Sequence, residues 1–272
     1  MGISIQKGNG GYIGHDSRAN FEATANTGSI IGNISPRKHR LVRLAGNLEP
    51  VFPTPFIFED TFSTGDLSKW TSLEESSTKR WICGQNTKGN DGAVKTIPSS
   101  STHAAYISND STDNEYSSNT ECHMYFDFDI PAAASSLTLT FQWMCYGENG
   151  SGNSSYDFGY IMFADPSAFT PSAGTGYGLS GTGYERIIGT NMAANTNNGK
   201  FNSEDANSRA GTSAARNAFY EENITINGSE ITTGTLWQTG VTRRLVFSFE
   251  SDSSVQYQPS WTIANVRLKA NI

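Results

Sequence analysis

The side chains of this 272-residue chain that could do chemistry are carboxylates, hydroxyls and aromatic rings. Asp127 and Asp129 sit two apart with Glu121 close by, and paired carboxylates flanking a sugar bond are what glycoside hydrolysis requires. The run lacks a Glu-x-Asp-x-x-Glu arrangement, and two acids on one strand face are the ordinary dress of a solvated sheet, so a glycan-cleaving centre is not expected. Serine chemistry needs a positioned histidine and acid. His15, His39, His103 and His123 are present, but the chain has no G-x-S-x-G elbow. Trp70, Trp81, Trp237 and Trp261, with eleven tyrosines, offer faces on which sugar rings stack. The same rings serve equally well as core, Trp143 foremost.

Cys83, Cys122 and Cys145 are odd in number and have no CxxC spacing, which argues against a zinc site or a disulfide framework. Buried free thiols are expected, with a Cys122 to Cys145 bridge as the alternative. The glycine series from Gly174 to Gly183 opens no helix and lies in no βαβ unit, so it is not a phosphate cradle.

The elements that must position these residues are strands. Met124, Phe126, Phe128 and Ile130 alternate with Tyr125, Asp127 and Asp129, and Leu137, Leu139, Phe141, Trp143 and Cys145 alternate with Thr138, Thr140 and Gln142. Period two places the apolar set of each run on one face, as in a half-buried antiparallel sheet. The run Tyr156 to Phe163 is apolar on both sides and reads as a central strand. The fold class is all-β, an antiparallel sandwich in residues 56–272.

A chain of this length buries a substantial core. Its 27 glycines and 17% charged residues look extracellular, yet the first residues carry no charged segment leading into an apolar run, so no signal peptide is expected. No apolar run is long enough to span a bilayer. Six N-x-S/T sequons, at Asn33, Asn109, Asn149, Asn153, Asn223 and Asn227, carry little meaning without a secretory route. A virus particle, or an exported protein without its leader, would reconcile the composition with this N-terminus.

Residues 1–48 differ from the rest. Six basic residues stand against three acidic ones over residues 1–50, so the remaining chain carries the acidic balance of a protein with net charge −7. This irregular, glycine-rich segment reads as a docking element, with Arg37, Lys38, Arg40 and Arg43 as its contacts. A solvated loop followed by a short strand is the plainer reading. The run is short and has no interleaved aromatics, so nucleic acid is an unlikely partner. Residues 49–55 hold three prolines and read as an extended linker.

Residues 166–235 read as a long excursion, a first place to seek a partner surface, with a short helix at 213–220 and a strand at Asn223 to Ile226.

The order of segments after residue 55 includes Phe56 to Phe62, Gly65 to Trp70, Arg80 to Gly84, Ala104 to Asp110, the two alternating runs, Gly147 and Glu148, Tyr156 and Asp157. It continues through Leu236 to Gln238, Arg244 to Phe249, Asp252 and Gln258 to Leu268. It resembles the cleaved-adhesin and choice-of-anchor family of MAM-like jelly-roll domains over about residues 56 to 270. The resemblance implies a jelly-roll β-sandwich of the kind found in surface adhesins, with bound calcium and glycan contacts. Calcium needs about six to eight oxygen ligands. Glu59, Asp60, Asn109, Asp110, Asp157 and Asp252 are the candidates, although Asp and Asn also simply make turns. The chain departs from the family at Ile263 to Val266, where Ala264 stands in place of an acid.

The expectation is a non-enzymatic virion structural protein of bacteriophage type, a capsid decoration, head fibre or tail component. It would dock on other virion proteins through its N-terminal segment and display an adhesin-like sandwich to host surface glycans. A homo-oligomer is expected, although no heptad repeat supports a coiled coil. The alternatives are a secreted or surface bacterial adhesin or carbohydrate-binding module, and an accessory domain of a glycan depolymerase.

Overall fold

The computed structural model describes residues 56–272 except 86, 89–93, 99–100, 151–153, 189–198, 203–218, 229–230, 232–233 and 255–257. Before residue 56 it describes four short strands. The chain divides into two compact units, Met1–Pro55 and Phe56–Ile272. In the first, Ile3–Ser4 pairs antiparallel with Gly14–His15, and Arg40–Leu44 with Asn47–Val51. Arg40 and Arg43 therefore lie on one strand of a hairpin, while Arg37 and Lys38 fall outside the described residues. Glu49, Pro50 and Val51, expected to begin a linker, form the other strand of that hairpin.

The second unit is a sandwich of thirteen principal strands: β1 (Phe56–Asp60), β2 (Thr71–Leu73), β3 (Arg80–Gly84), β4 (Ala104–Ser108), β5 (Glu121–Asp129), β6 (Ser136–Met144), β7 (Phe158–Ala164), β8 (Ser180–Gly181), β9 (Tyr184–Arg186), β10 (Lys200–Phe201), β11 (Tyr220–Ile226), β12 (Thr242–Glu250) and β13 (Thr262–Asn271). One sheet runs β11-β6-β13-β4-β3, with β1 also paired to β13; the other runs β8-β9-β7-β12-β5-β2, with β10 also paired to β7. Every pairing is antiparallel. Consecutive strands β4 to β7 alternate between the sheets, as does the step from β12 to β13, which gives the jelly-roll type of sandwich.

Alternation places the core as the sequence predicts. Met124, Phe126, Phe128, Leu137, Leu139, Phe141, Trp143 and Cys145 are buried, while Tyr125, Asp127, Asp129, Thr138, Thr140 and Gln142 remain half-buried or exposed. The central position of β7 also stands: β12 pairs along one edge, β9 and β10 share the other, and every residue of the strand is buried. The three cysteines are free thiols, Cys122 and Cys145 buried and Cys83 half-buried. Burial pushes Cys83 and Cys122 up to about 12, so both stay protonated.

The structure decides two readings that the sequence left open. Trp70, Trp81 and Trp261 are at most 8% exposed and belong to the core, with Trp237 packed half-buried against it. Their shape fills the wide space between sheets, so Trp70, Trp81 and Trp261 have no face to offer a ligand. The region 166–235 is also no detached excursion, because it supplies β8, β9 and β10 to one sheet and β11 to the other. Strands of two or three residues are too short to show alternation. The strand at Asn223 to Ile226 lies within β11; most of the expected helix falls outside the described residues, and Tyr220 opens β11.

The last strand shows why its Ile-Ala-Asn-Val motif carries asparagine. The register of β13 against β6 shifts between Thr140 and Gln142, so β13 holds an extra residue there. Asn265 occupies that bulge at φ 53°, a left-handed conformation that asparagine tolerates better than branched residues. Its Nδ2 donates to Gln142 Oε1.

Between the sheets a glycine lies against an indole. A Cβ on Gly159 of β7 would lie 2.0 Å from Trp261 Cδ2, and Trp261 is fully buried. Gly159→Ala is expected to destabilise the sandwich by about 1–3 kcal/mol, the range for overpacking a core, read as a lowered urea midpoint. A midpoint equal to wild type would show that the indole is free to move.

Candidate ligand-binding face

The six oxygen-bearing residues expected to hold calcium lie at three places. In β1, Asp60 Oδ1 accepts the Phe62 N–H at 2.8 Å and Oδ2 accepts the Trp70 Nε1–H at 2.8 Å, a clamp that holds Phe62 at φ 55°. Glu59 pairs with Arg267 at 2.7 Å. In the turn after β4, Asp110 accepts from the Thr112 hydroxyl at 2.7 Å and from the Thr112 N–H at 2.8 Å, and these donors hold its carboxyl down at about 2. Asn109 precedes it. The acids that follow already have a cation, because Lys88 Nζ lies 2.5 Å from Asp113 Oδ2 and 3.0 Å from Glu115 Oε1. Asp252 accepts from Ser254 N and Oγ, both at 2.8 Å. Among the described residues no group of three or more His, Cys, Asp or Glu is disposed to hold a metal ion. Asp157 and Asp252 are brought together; the other four are not brought to them.

Asp157 is a structural knot. Its Oδ2 accepts from Tyr116 Oη at 2.5 Å and Glu148 N at 2.8 Å, and its Oδ1 accepts Asp252 N at 3.0 Å. Its backbone oxygen accepts Asn202 Nδ2 at 2.6 Å. The buried carboxylate thus ties three other parts of the chain, and the backbone oxygen of the same residue holds a fourth. Burial raises its pKa to about 6, against the opposing pull of these donors.

The two sheets turn different outer faces to their surroundings. On the seven-stranded sheet, Phe158, Tyr160, Met162 and Val246 form a second apolar cluster packed by Phe169, Tyr177 and Tyr184 from a strap over residues 165–187. Asp127 is drawn into that closure: Arg244 contacts it at 2.6 and 2.9 Å, lies 4.0 Å from the Tyr125 ring centroid, and donates to Phe169 O at 3.1 Å. Asp129 accepts from Thr242 Oγ1 at 2.6 Å. The two carboxylates that resemble a hydrolytic pair are therefore engaged in fastening strands and strap.

The six-stranded sheet presents a polar face. Pairing aligns Asn223, Thr140, Arg267 and Glu59 in a row across β11, β6, β13 and β1, and the register sets Thr225, Thr138, Lys269 and Phe56 in a second row. Every one of these is half-buried or exposed. Neighbouring strands lie about 4.8 Å apart, so hydroxyl, amide, guanidinium and carboxylate groups succeed one another at regular intervals. Phe56 is 46% exposed, with Arg267 at 5.7 Å from its ring centroid. The arrangement offers donors, acceptors and an aromatic face, and no evident nucleophile or acid-base pair. Of these residues Glu59 alone stands among the site candidates read from sequence. The alternation of Thr138 and Thr140 shows an outward face, but neither the partner strands nor Phe56 can be inferred from it.

No protein-family model matches the chain, and no curated protein matches it. Among solved structures it is similar to the enzymatically active domain of bacteriophage CBA120 tailspike protein 4, at TM-score 0.40 and 10% identity over 78% of this chain and 20% of that one. It thus spans a fifth of the tailspike chain. It is also similar to TmCBM61 in complex with β-1,4-galactotriose, at TM-score 0.38 and 12% identity over 80% of this chain and 100% of that one. A cleaved adhesin domain of Lys-gingipain from Porphyromonas gingivalis matches at TM-score 0.38 and 16% identity over 79% and 98% of the two chains. Likeness at this level assigns no ligand or activity.

Two measurements follow from the site geometry. Asp157 has a folded-state pKa near 6 against 3.8 for the free carboxyl, so the folded protein binds the extra proton between those values. Stability carried by Asp157 therefore rises as pH falls from about 6 to about 4 and is constant below. Asp157→Asn turns an amide donor on backbone N–H groups and should lose about 1–3 kcal/mol at pH 7. The wild-type advantage should widen toward pH 4; a gap independent of pH would refute the assignment. For calcium, a rise in Tm with the added ion that EDTA reverses would show a bound ion, and a Tm that neither changes would exclude one.

Proposed function

We propose that the sandwich is a non-enzymatic recognition module that binds carbohydrate across the polar face of β11, β6, β13 and β1, and works at a cell or particle surface. The observation that carries this reading is the pair of aligned rows, Asn223-Thr140-Arg267-Glu59 and Thr225-Thr138-Lys269-Phe56. Sugars are recognised by many modest hydrogen bonds from planar polar groups together with an aromatic surface, and a flat sheet supplies both on rigid strands. Binding by an open face needs no pocket and no catalytic group.

A second reading concerns location. The chain divides after Pro55, and a separate basic N-terminal unit suits an anchor onto the acidic surface of a phage particle. Mass spectrometry of purified particles tests it, and antibody labelling confined to uninfected cells would overturn it.

The binding reading is tested with the full chain on a glycan array. Retention of at least one glycan class is expected, with Thr140→Ala and Arg267→Ala each weakening it about threefold to tenfold, the value of one or two lost hydrogen bonds. Full retention by both variants, or an array without signal, would remove the face from consideration.

A further inference from the structure

Lys269 of β13 differs from the other cations of the sandwich. Among the described residues it has no acceptor and no ring partner, whereas every other lysine or arginine whose side chain is described meets a carboxylate, a carbonyl, a hydroxyl or an aromatic ring. Lys269 is half-buried, and its backbone is flanked by Thr138 of β6 on one side and Phe56 of β1 on the other.

The groups around it are donors. Arg267 stands two residues away on the same face of β13, about 7 Å along the strand. Its Nε donates to Glu59 Oε1 at 2.7 Å and its guanidinium lies 5.7 Å from the Phe56 ring centroid, so the fork is held in place with both terminal amino groups unused among the described residues. Asn271 Nδ2 donates to Thr138 Oγ1 at 2.9 Å, so that hydroxyl keeps its own proton to give. The acids of the face are engaged or remote. Glu59 holds Arg267, and Glu221 of β11 stands in the row of Gln142, two rows from Lys269.

We propose that Lys269 and Arg267 form an anion subsite on the polar face, and that the ligand of this face is an acidic glycan whose carboxylate or sulfate group lies between the ammonium and the guanidinium. The inference rests on the reading of that face as a carbohydrate-binding surface and adds the charge of the ligand to it. An ammonium beside a planar fork meets an oxyanion at two points, with the hydroxyls of Thr138 and Thr140 left for the sugar ring that carries it. A neutral sugar would leave Lys269 unpaired. The chain as a whole carries −7, so an anionic ligand is held by this local pair against the general field of the protein.

The full chain is tested on an array carrying neutral, carboxylated and sulfated glycans. Retention of anionic glycans is expected, weakened by added salt and weakened about tenfold by Lys269→Gln, with Lys269→Arg close to wild type. Methyl esterification of a retained carboxylated glycan, or desulfation of a retained sulfated one, should weaken binding to the same extent and so identifies the group that the subsite takes. Anionic glycans held equally well by Lys269→Gln would bind elsewhere, on the basic N-terminal unit for instance, and would overturn the subsite. Neutral glycans retained with sensitivity to Thr140→Ala but none to Lys269→Gln would overturn the subsite and leave the carbohydrate-binding face standing. An array without signal would remove both.

Discussion

The sandwich depends on the approach of Trp261 to the bare backbone of Gly159. The indole lies across the space between the sheets, stacked with Phe201 at 5.3 Å and Phe247 at 5.7 Å and edge-on to Trp81 at 6.0 Å. Phe141 from the six-stranded sheet meets both Phe247 and Trp261 edge-on. Rings of this size set the separation of the layers, and the absence of a side chain at one position of β7 admits the largest of them. Once that spacing is set, the alternating residues of β5, β6, β12 and β13 have a core to enter.

With an aromatic core in place, the chain uses its buried acids as fasteners. Asp60 ties β1 to the following turn, Asp157 ties the loops at one end, and Glu222 accepts the Trp143 indole N–H at 2.9 Å. Glu185, 2% exposed, accepts backbone N–H groups of Gly234, Thr235 and Leu236 at 2.8 to 3.1 Å. A buried carboxylate costs free energy unless donors surround it, and N–H groups of loops supply them. This use explains how a chain with few charged residues holds long connections in place. It also separates the two outer faces by role, one closed beneath a fastened strap and the other leaving two rows of side chains of β11, β6, β13 and β1 open.

Much of this was legible in the residues. Alternation at Met124 to Ile130 and Leu137 to Cys145 marks the inner face because a strand repeats every two residues whatever its partners, and apolar residues on both sides of Tyr156 to Phe163 mark a central strand for the same reason. The short strands β8, β9 and β10 were illegible because two or three residues show no period. Their existence rests on what β7 leaves unpaired along its edge.

The sequence by itself determined the fold class and the inward faces of the long strands, both consequences of local period and residue type, and left open the Cys122 to Cys145 bridge that the structure shows to be absent. Only the tertiary structure decided which strands lie side by side. It joined Asn223, Thr140, Arg267 and Glu59 into one row from segments more than 200 residues apart at the extremes. It also separated the carboxylates that proximity in the chain or family resemblance had grouped, sending Asp127 to Arg244 and Asp60 to Trp70. Strand pairing and ring packing are long-range choices, set by shape and by the satisfaction of buried polar groups, and the local pattern of a strand does not name its neighbours.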